Sequence, residues 1–167
     1  MNIRKAEIKD ASQLAHLHIA SWKRAYRGIV SDTILNNLDE TRRAAAFEKS
    51  FEMKLGETYL IEENNVVIGF TTFGNCRDDD RDNNTGEIWG VYVSPDHWRK
   101  GYGSKLTAFA ENILCSMNKK EIVLWVLKDN YDARNFYEKI GYVVEGKSKI
   151  LERLNNLIAV RYVKRIN

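Results

Sequence analysis

The run Arg99-Lys-Gly-Tyr-Gly-Ser104 has the residue types and spacing best suited to chemistry. Gly101 and Gly103 let backbone N–H groups close on an anion with no Cβ in the way, and Arg99 and Lys100 add positive charge. An apolar stretch ending in Val91-Tyr-Val93 and the chain's only proline precede the run, and Leu106 opens an apolar helical pattern after it. A strand, a glycine loop and a helix start make an anion site, because the first helical turn offers unpaired donors and the positive end of the helix dipole. The implied ligand is a phosphate. A P-loop would need G-x-x-x-x-G-K-[ST], whose spacing is absent. A dinucleotide fingerprint, G-x-G-x-x-G, would need a third glycine where Leu106 stands, and the kinase glycine loop fails there too.

Other reactive residues are sparse. Cys76 and Cys115 are too few and too far apart for a zinc site or a disulfide framework and read as free thiols. His16 and His18 are two apart on an expected helix, so they do not share a face, and His97 stands alone. No metal site is expected. In Arg77-Asp-Asp-Asp-Arg-Asp82 four aspartates face two arginines, which would attract a cationic acceptor such as a polyamine, although such a run is more often a solvated loop. Trp22, Tyr26, Trp89 and Trp98 could line an acceptor pocket or serve as packing residues.

These residues need a scaffold, and 167 residues with 44% hydrophobic and 29% charged side chains suffice for one soluble globular domain. Lys plus Arg number 26 against 23 Asp plus Glu, with no dense basic run, so nucleic acid is not an expected partner. No apolar run approaches a membrane span and Met1 opens no signal-like segment, so a cytoplasmic location without membrane attachment is expected.

Residues 1–8 read as a strand. Asp10 offers an N-cap, with Gln13 three residues on, for a helix carrying Leu14, Leu17, Ser21 and Ala25 and running to about Tyr26. Gly28 breaks it, Ser31-Asp-Thr33 opens a short helical turn through Leu38, and Phe47, Phe51 and Leu55 mark one stripe of a further helix ended by Gly56. Runs 58–62 and 66–73 read as a hairpin joined through Glu63-Asn-Asn65. A loop over 75–85 leads to a strand at 87–93, the glycine loop, and a helix with Leu106, Phe109, Ile113 and Met117 on one face. Residues 122–127 form a strand buried on both faces, and Asp132 caps a helix carrying Ala133, Phe136, Tyr137 and Ile140, with Gly141 just past its end. Strands at 142–144 and 158–163 close an α/β or α+β chain of order β-α-α-α-β-β-β-α-β-α-β-β.

The glycine run resembles the acyl-CoA pyrophosphate loop of the GCN5-related N-acetyltransferases, [QR]-x-x-G-x-[GA], with Trp98 standing where that pattern has Gln or Arg. A second stretch, about 30 residues on, is similar to the same family's N-x-x-A-x-x-F-Y-x-x-x-G-[FY] at Asn130, Ala133, Phe136, Tyr137, Gly141 and Tyr142. Trp22 with Tyr26-Arg-Gly-Ile29 also resembles a phrase from one branch.

The resemblance implies a mixed, mostly antiparallel sheet of about seven strands with about four helices, splayed between its fourth and fifth strands. Acetyl-CoA is then the expected co-substrate, with no metal. Val91, Tyr92 and Val93 would border its pantetheine arm, Arg99, Lys100, Gly101, Tyr102, Gly103 and Ser104 would wrap its pyrophosphate, and Asn130 would hydrogen-bond it. Tyr137 matches the family's general-acid tyrosine. Glu87, fourteen residues before Gly101, matches the general base of one branch, its alternative being an ordinary strand-start carboxylate. An amine acceptor, a small molecule or a peptide, would need such a base, since a lysine-like ammonium has a pKa of roughly 10.4. A homodimer is a family expectation. The rival readings are a non-catalytic acyl-CoA-binding module and a nucleotide-binding protein using the glycine loop for NTP or NAD.

Overall fold

The computed structural model describes residues 2–166, so Met1, at the start of the first expected strand, lies outside them. In chain order the elements are strand β1 (Asn2–Lys5), helices α1 (Ala11–Ala25), α2 (Asp32–Asn36) and α3 (Glu40–Glu52), and strands β2 (Glu57–Glu63), β3 (Val66–Asn75) and β4 (Thr85–Val93). Helix α4 (Tyr102–Ser116), strand β5 (Glu121–Leu127), helix α5 (Tyr131–Lys139) and strands β6 (Val143–Leu151) and β7 (Leu157–Arg165) follow. Five helices, rather than about four, flank the sheet among the described residues.

The seven strands form one sheet in the order β1-β2-β3-β4-β5-β7-β6. Every neighbouring pair is antiparallel except β4 with β5, which pair in parallel. That pairing spans only Thr85↔Glu121, Gly86↔Ile122 and Glu87↔Val123, after which the strands part. The splay expected between the fourth and fifth strands is therefore present. The β2–β3 hairpin turns at Asn64 and Asn65, whose φ of 52° and 62° are the left-handed values a two-residue type I′ turn needs.

Helices α1 and α3 cover one face, where Leu14, Phe47, Leu60 and Phe70 share a cluster. Helices α4 and α5 cover the other, through Leu114, Tyr137, Ile122 and Ile88. A bulge in the β3–β4 register makes this possible, because Thr72 opposes Gly90 while Phe73 opposes Ile88, leaving Trp89 as the extra residue. The side-chain parity of β4 reverses there. Ile88 and Val91, three apart, consequently pack into the same cluster, which a regular strand would forbid.

Several helix ends differ from expectation. Asn130, not Asp132, caps α5, its side chain accepting from the Ala133 N–H at 3.1 Å. Asp10 precedes α1 but gives it no side-chain cap; its carboxylate accepts from Arg4 at 2.8 and 2.9 Å and from the Glu7 N–H. Leu55 is exposed beyond the end of α3, since Lys54 and Gly56 take positive φ and break the stripe.

Candidate active site

The glycine loop joins β4 to α4 as expected. Arg99 has φ 61° and Gly101 φ 83°, so backbone conformation of opposite hand recurs within three residues, a geometry that turns N–H groups toward a common concavity. Gly101 is the N-cap residue of α4, and no side chain caps that helix, in contrast to α3, capped by Asp39, and α5, capped by Asn130. A Cβ built at Gly101 meets no protein atom within 4 Å, so open space lies beside the loop. Arg99, Lys100 and Ser104 are exposed, while Tyr102 and Gly103 are half-buried. An uncapped fifteen-residue helix opening on such a loop fits a pyrophosphate group. Trp98, the departure from the family pattern, donates its indole N–H to the Val93 carbonyl at 2.7 Å and ties the loop to the end of β4.

The splay borders the same strand. Beyond Glu87 the β4 edge no longer has β5 as a ladder partner, and Val91, Tyr92 and Val93 lie in this part of the strand. Tyr137 enters from α5, buried against Phe136 and Tyr142. Burial, and then the nearby Tyr92, hold its hydroxyl above the ordinary tyrosine range. Tyr26 is likewise raised, by burial first and then by Tyr92 and Tyr137. Among the described residues no protein group hydrogen-bonds the Tyr137 hydroxyl.

Residues 17–142 match the family model described as acetyltransferase (GNAT) family. The chain belongs to this family. It is 30% identical over 150 residues to the L-amino acid N-acyltransferase MnaT of Escherichia coli K12, covering 88% of this chain and 82% of MnaT. To the spermidine N(1)-acetyltransferase of Thermoplasma acidophilum it is 27% identical over 168 residues, covering 92% and 96%. The fold matches the crystal structure of PaiA N-acetyltransferase from Thermoplasma acidophilum in complex with coenzyme A, with a TM-score of 0.78, 22% identity and 99% and 98% of the two chains covered. As a GNAT protein the chain is an acyltransferase.

In this GNAT chain Glu87 is almost completely buried at the last β4–β5 pair. Its Oε2 accepts from the Arg77 N–H at 2.9 Å and from Arg77 Nε at 3.0 Å, and its Oε1 accepts from Nη2 at 2.6 Å. Three of roughly four carboxylate acceptor sites are thus taken by one residue. Glu87, Arg77, Trp22, Tyr26 and Trp89 line a cavity of about 360 Å³. Arg77 also lies over the Trp89 ring, 4.4 Å from its centroid.

A larger cavity of about 630 Å³ adjoins it, sharing Trp22, Arg77 and Trp89 and reaching Gly90 and Tyr92 of β4. Of the four aromatics considered for an acceptor pocket, Trp22, Tyr26 and Trp89 line these cavities, whereas Trp98 packs on the loop side. The expected attraction of a cationic acceptor by the loop after β3 has a competing internal claim: Asp78 and Asp80 accept from the buried Arg161, and Asp80 also meets Lys147. Arg161 lies 81 residues beyond Asp80, a pairing with no local signal. Sequence reasoning also missed His18, Arg43 and Arg153, which line the larger cavity from α1, α3 and the segment after β6. Arg43 stands in Arg42-Arg43, a doublet readable as helix surface, and only the packing of α3 over the sheet turns it inward. Among the described residues no group of three or more His, Cys, Asp or Glu could hold a metal, and no helix is long and apolar enough to cross a membrane.

Proposed function

We propose that the protein is an acetyl-CoA-dependent N-acetyltransferase that passes the acetyl group directly to a primary amine within a ternary complex. The observation that carries this reading is the parting of β4 from β5 after Glu87, with the uncapped α4 loop at the end of the same strand; Tyr137, whose cluster packs with Val91 of that strand, supports it. The names of its relatives support it, since MnaT acts on amino acids and the Thermoplasma acidophilum relative on spermidine, both of them amines. Acetyl-CoA supplies an acyl thioester already activated for transfer.

The residues divide the work. The α4 N-terminus with Arg99, Lys100, Gly101, Tyr102, Gly103 and Ser104 holds the pyrophosphate, and Val91, Tyr92 and Val93 border the pantetheine arm. Asn130 holds the N-terminus of α5 and thereby the position of Tyr137, in addition to its cofactor-facing role. N–H groups on the open β4 edge stabilise negative charge developing on the acyl oxygen. Tyr137 stays protonated at neutral pH, because its raised pKa keeps the O–H intact, so it donates to the departing sulfur. A thiolate whose parent pKa is roughly 8.5 is a weaker base than this phenolate, and the gain therefore comes chiefly from the donated hydrogen bond. Glu87 accepts the amine proton, through water, at the carboxylate site Arg77 leaves free.

Thiol release from acetyl-CoA with a panel of primary amines tests the reading. Amine-dependent release with one-to-one product supports it. Tight acetyl-CoA binding with no release for any amine would establish a binding module in its place.

A further inference from the structure

The larger cavity has an excess of positive charge. Arg42, Arg43, Arg77 and Arg153 line it, and Asp39 is its one carboxylate. Glu87 answers Arg77, and Asp39 is engaged in accepting from the backbone N–H of Arg42. No carboxylate among the described residues pairs with Arg43 or Arg153. Arg43 is the more telling of the two, because it is half-buried, its Nε has no hydrogen-bond acceptor, and its guanidinium leans on the Phe47 ring, 4.8 Å from the centroid. Arg153 is near enough to work against it as a like charge. Arg43 bears most of the cost, since it is half-buried without an anion while Arg153 is exposed, and a ligand carboxylate reaching both relieves it through charge-assisted hydrogen bonds.

Trp22, Phe47, Phe70 and Tyr92 supply apolar walls, and the volume is that of a small-molecule site. The cavity also touches Gly90 and Tyr92, on the stretch of β4 that borders the cleft. We propose that the acceptor is a zwitterion, a small α-amino acid with an apolar or aromatic side chain, whose carboxylate is held by Arg43 and Arg153 while its amine points to the β4 edge. This rests on the transfer reading above. It disfavours a polyamine, which would bring further positive charge to these arginines.

Matched acceptors test the assignment. L-Phenylalanine and L-methionine are compared with their amides and with spermidine in the thiol-release assay. The acids are expected to exceed the amides at least tenfold in kcat/KM, even though the amides carry the less basic, more readily deprotonated amine. In Arg43→Gln and Arg153→Gln the ratio of acid to amide should fall toward one, mainly through KM, with Arg43→Lys restoring part of it. Amides or spermidine equal to or better than the acids in the wild-type protein would overturn the proposal and leave the transfer reading standing. A second readout uses the thermal shift of the CoA-loaded protein by N-acetyl-L-phenylalanine and by its amide. If no amine is acetylated but the acid alone stabilises in an Arg43-dependent manner, the transfer reading fails and the anion site stands. No turnover and no difference between acid and amide would remove both.

Discussion

Arg99 keeps its backbone at φ 61°, where a residue other than glycine is held against roughly 1–2 kcal/mol of steric cost. In the proposed pyrophosphate site that strain would serve binding, since backbone of alternating hand is the geometry of an N–H nest. Arg99→Gly should therefore raise stability by about 1 kcal/mol in urea unfolding while weakening acetyl-CoA binding in calorimetry, because it relieves the strain and removes a charge. A variant that loses stability as well would mean that the Arg99 side chain, not its backbone, shapes the loop. At the other end of the cleft, Tyr137→Phe keeps the ring that packs on Phe136 and Tyr142 and deletes only the O–H. We expect kcat to fall about 100-fold with little change in acetyl-CoA affinity. Since burial raises the Tyr137 pKa, the wild-type enzyme should show no loss of activity from this group up to about pH 9, and a limb there would point elsewhere. Glu87→Gln asks a separate question, because an amide can still accept from Arg77 but takes up no proton. A fall in kcat of about tenfold or more is expected, with the protein folded; an unaltered rate would leave Glu87 as the anchor of Arg77 alone.

At the level of elements, one side chain caps the N-terminus of α5. Asn130→Ala removes the acceptor of the Ala133 N–H and should cost about 1 kcal/mol of stability, whereas Asn130→Asp retains a cap and should stay near wild type. If Asn130 also meets the cofactor through its amide, the Asp variant will bind acetyl-CoA less tightly despite its intact helix. Most elements were legible because their signals are local: glycine and asparagine turns, helical stripes and the apolar β5 run all stand within a few residues. Where two signals compete at short range, sequence could not choose between them. Asn130 and Asp132 are both good caps, and only the backbone at Asn130 decides the matter. The bulge at Trp89 was invisible for a different reason. Residues 87–93 are mostly apolar on both faces, so no alternation exists in which a skipped position could be seen.

The whole molecule has a pH-dependent stability traceable to His18. Burial, and then Arg43, lower its pKa from 6.5 to about 3, so the folded protein keeps it neutral while the unfolded chain protonates it below about 6.5. Between those values the unfolded state binds the extra proton, and stability must rise with pH, by at most about 1.4 kcal/mol per unit. His18→Phe, which leaves an aromatic ring among Trp22, Phe47 and Tyr92, should flatten the dependence of ΔG on pH between 4 and 6.5. Asp10 acts at lower pH. Hydrogen bonds from Arg4 hold its carboxyl below the usual range, so its contribution is complete above about pH 4 and disappears as pH falls through the folded-state value. Neither effect was readable in the sequence, since each depends on what lies opposite after folding. The cavity charge is of the same kind, as is the Arg161 cluster, whose partners come from the β3–β4 loop and from β6. The brief junction of β4 with β5 has a mechanical corollary. Strands β1 to β4 form one leaf and β5 to β7 another, and the spine between them is only three residue pairs long. An extended pantetheine chain laid into the opening would act as a rivet, so amide-hydrogen exchange along β5 and the far half of β4 should slow together when acetyl-CoA binds, while β1 keeps its own rate.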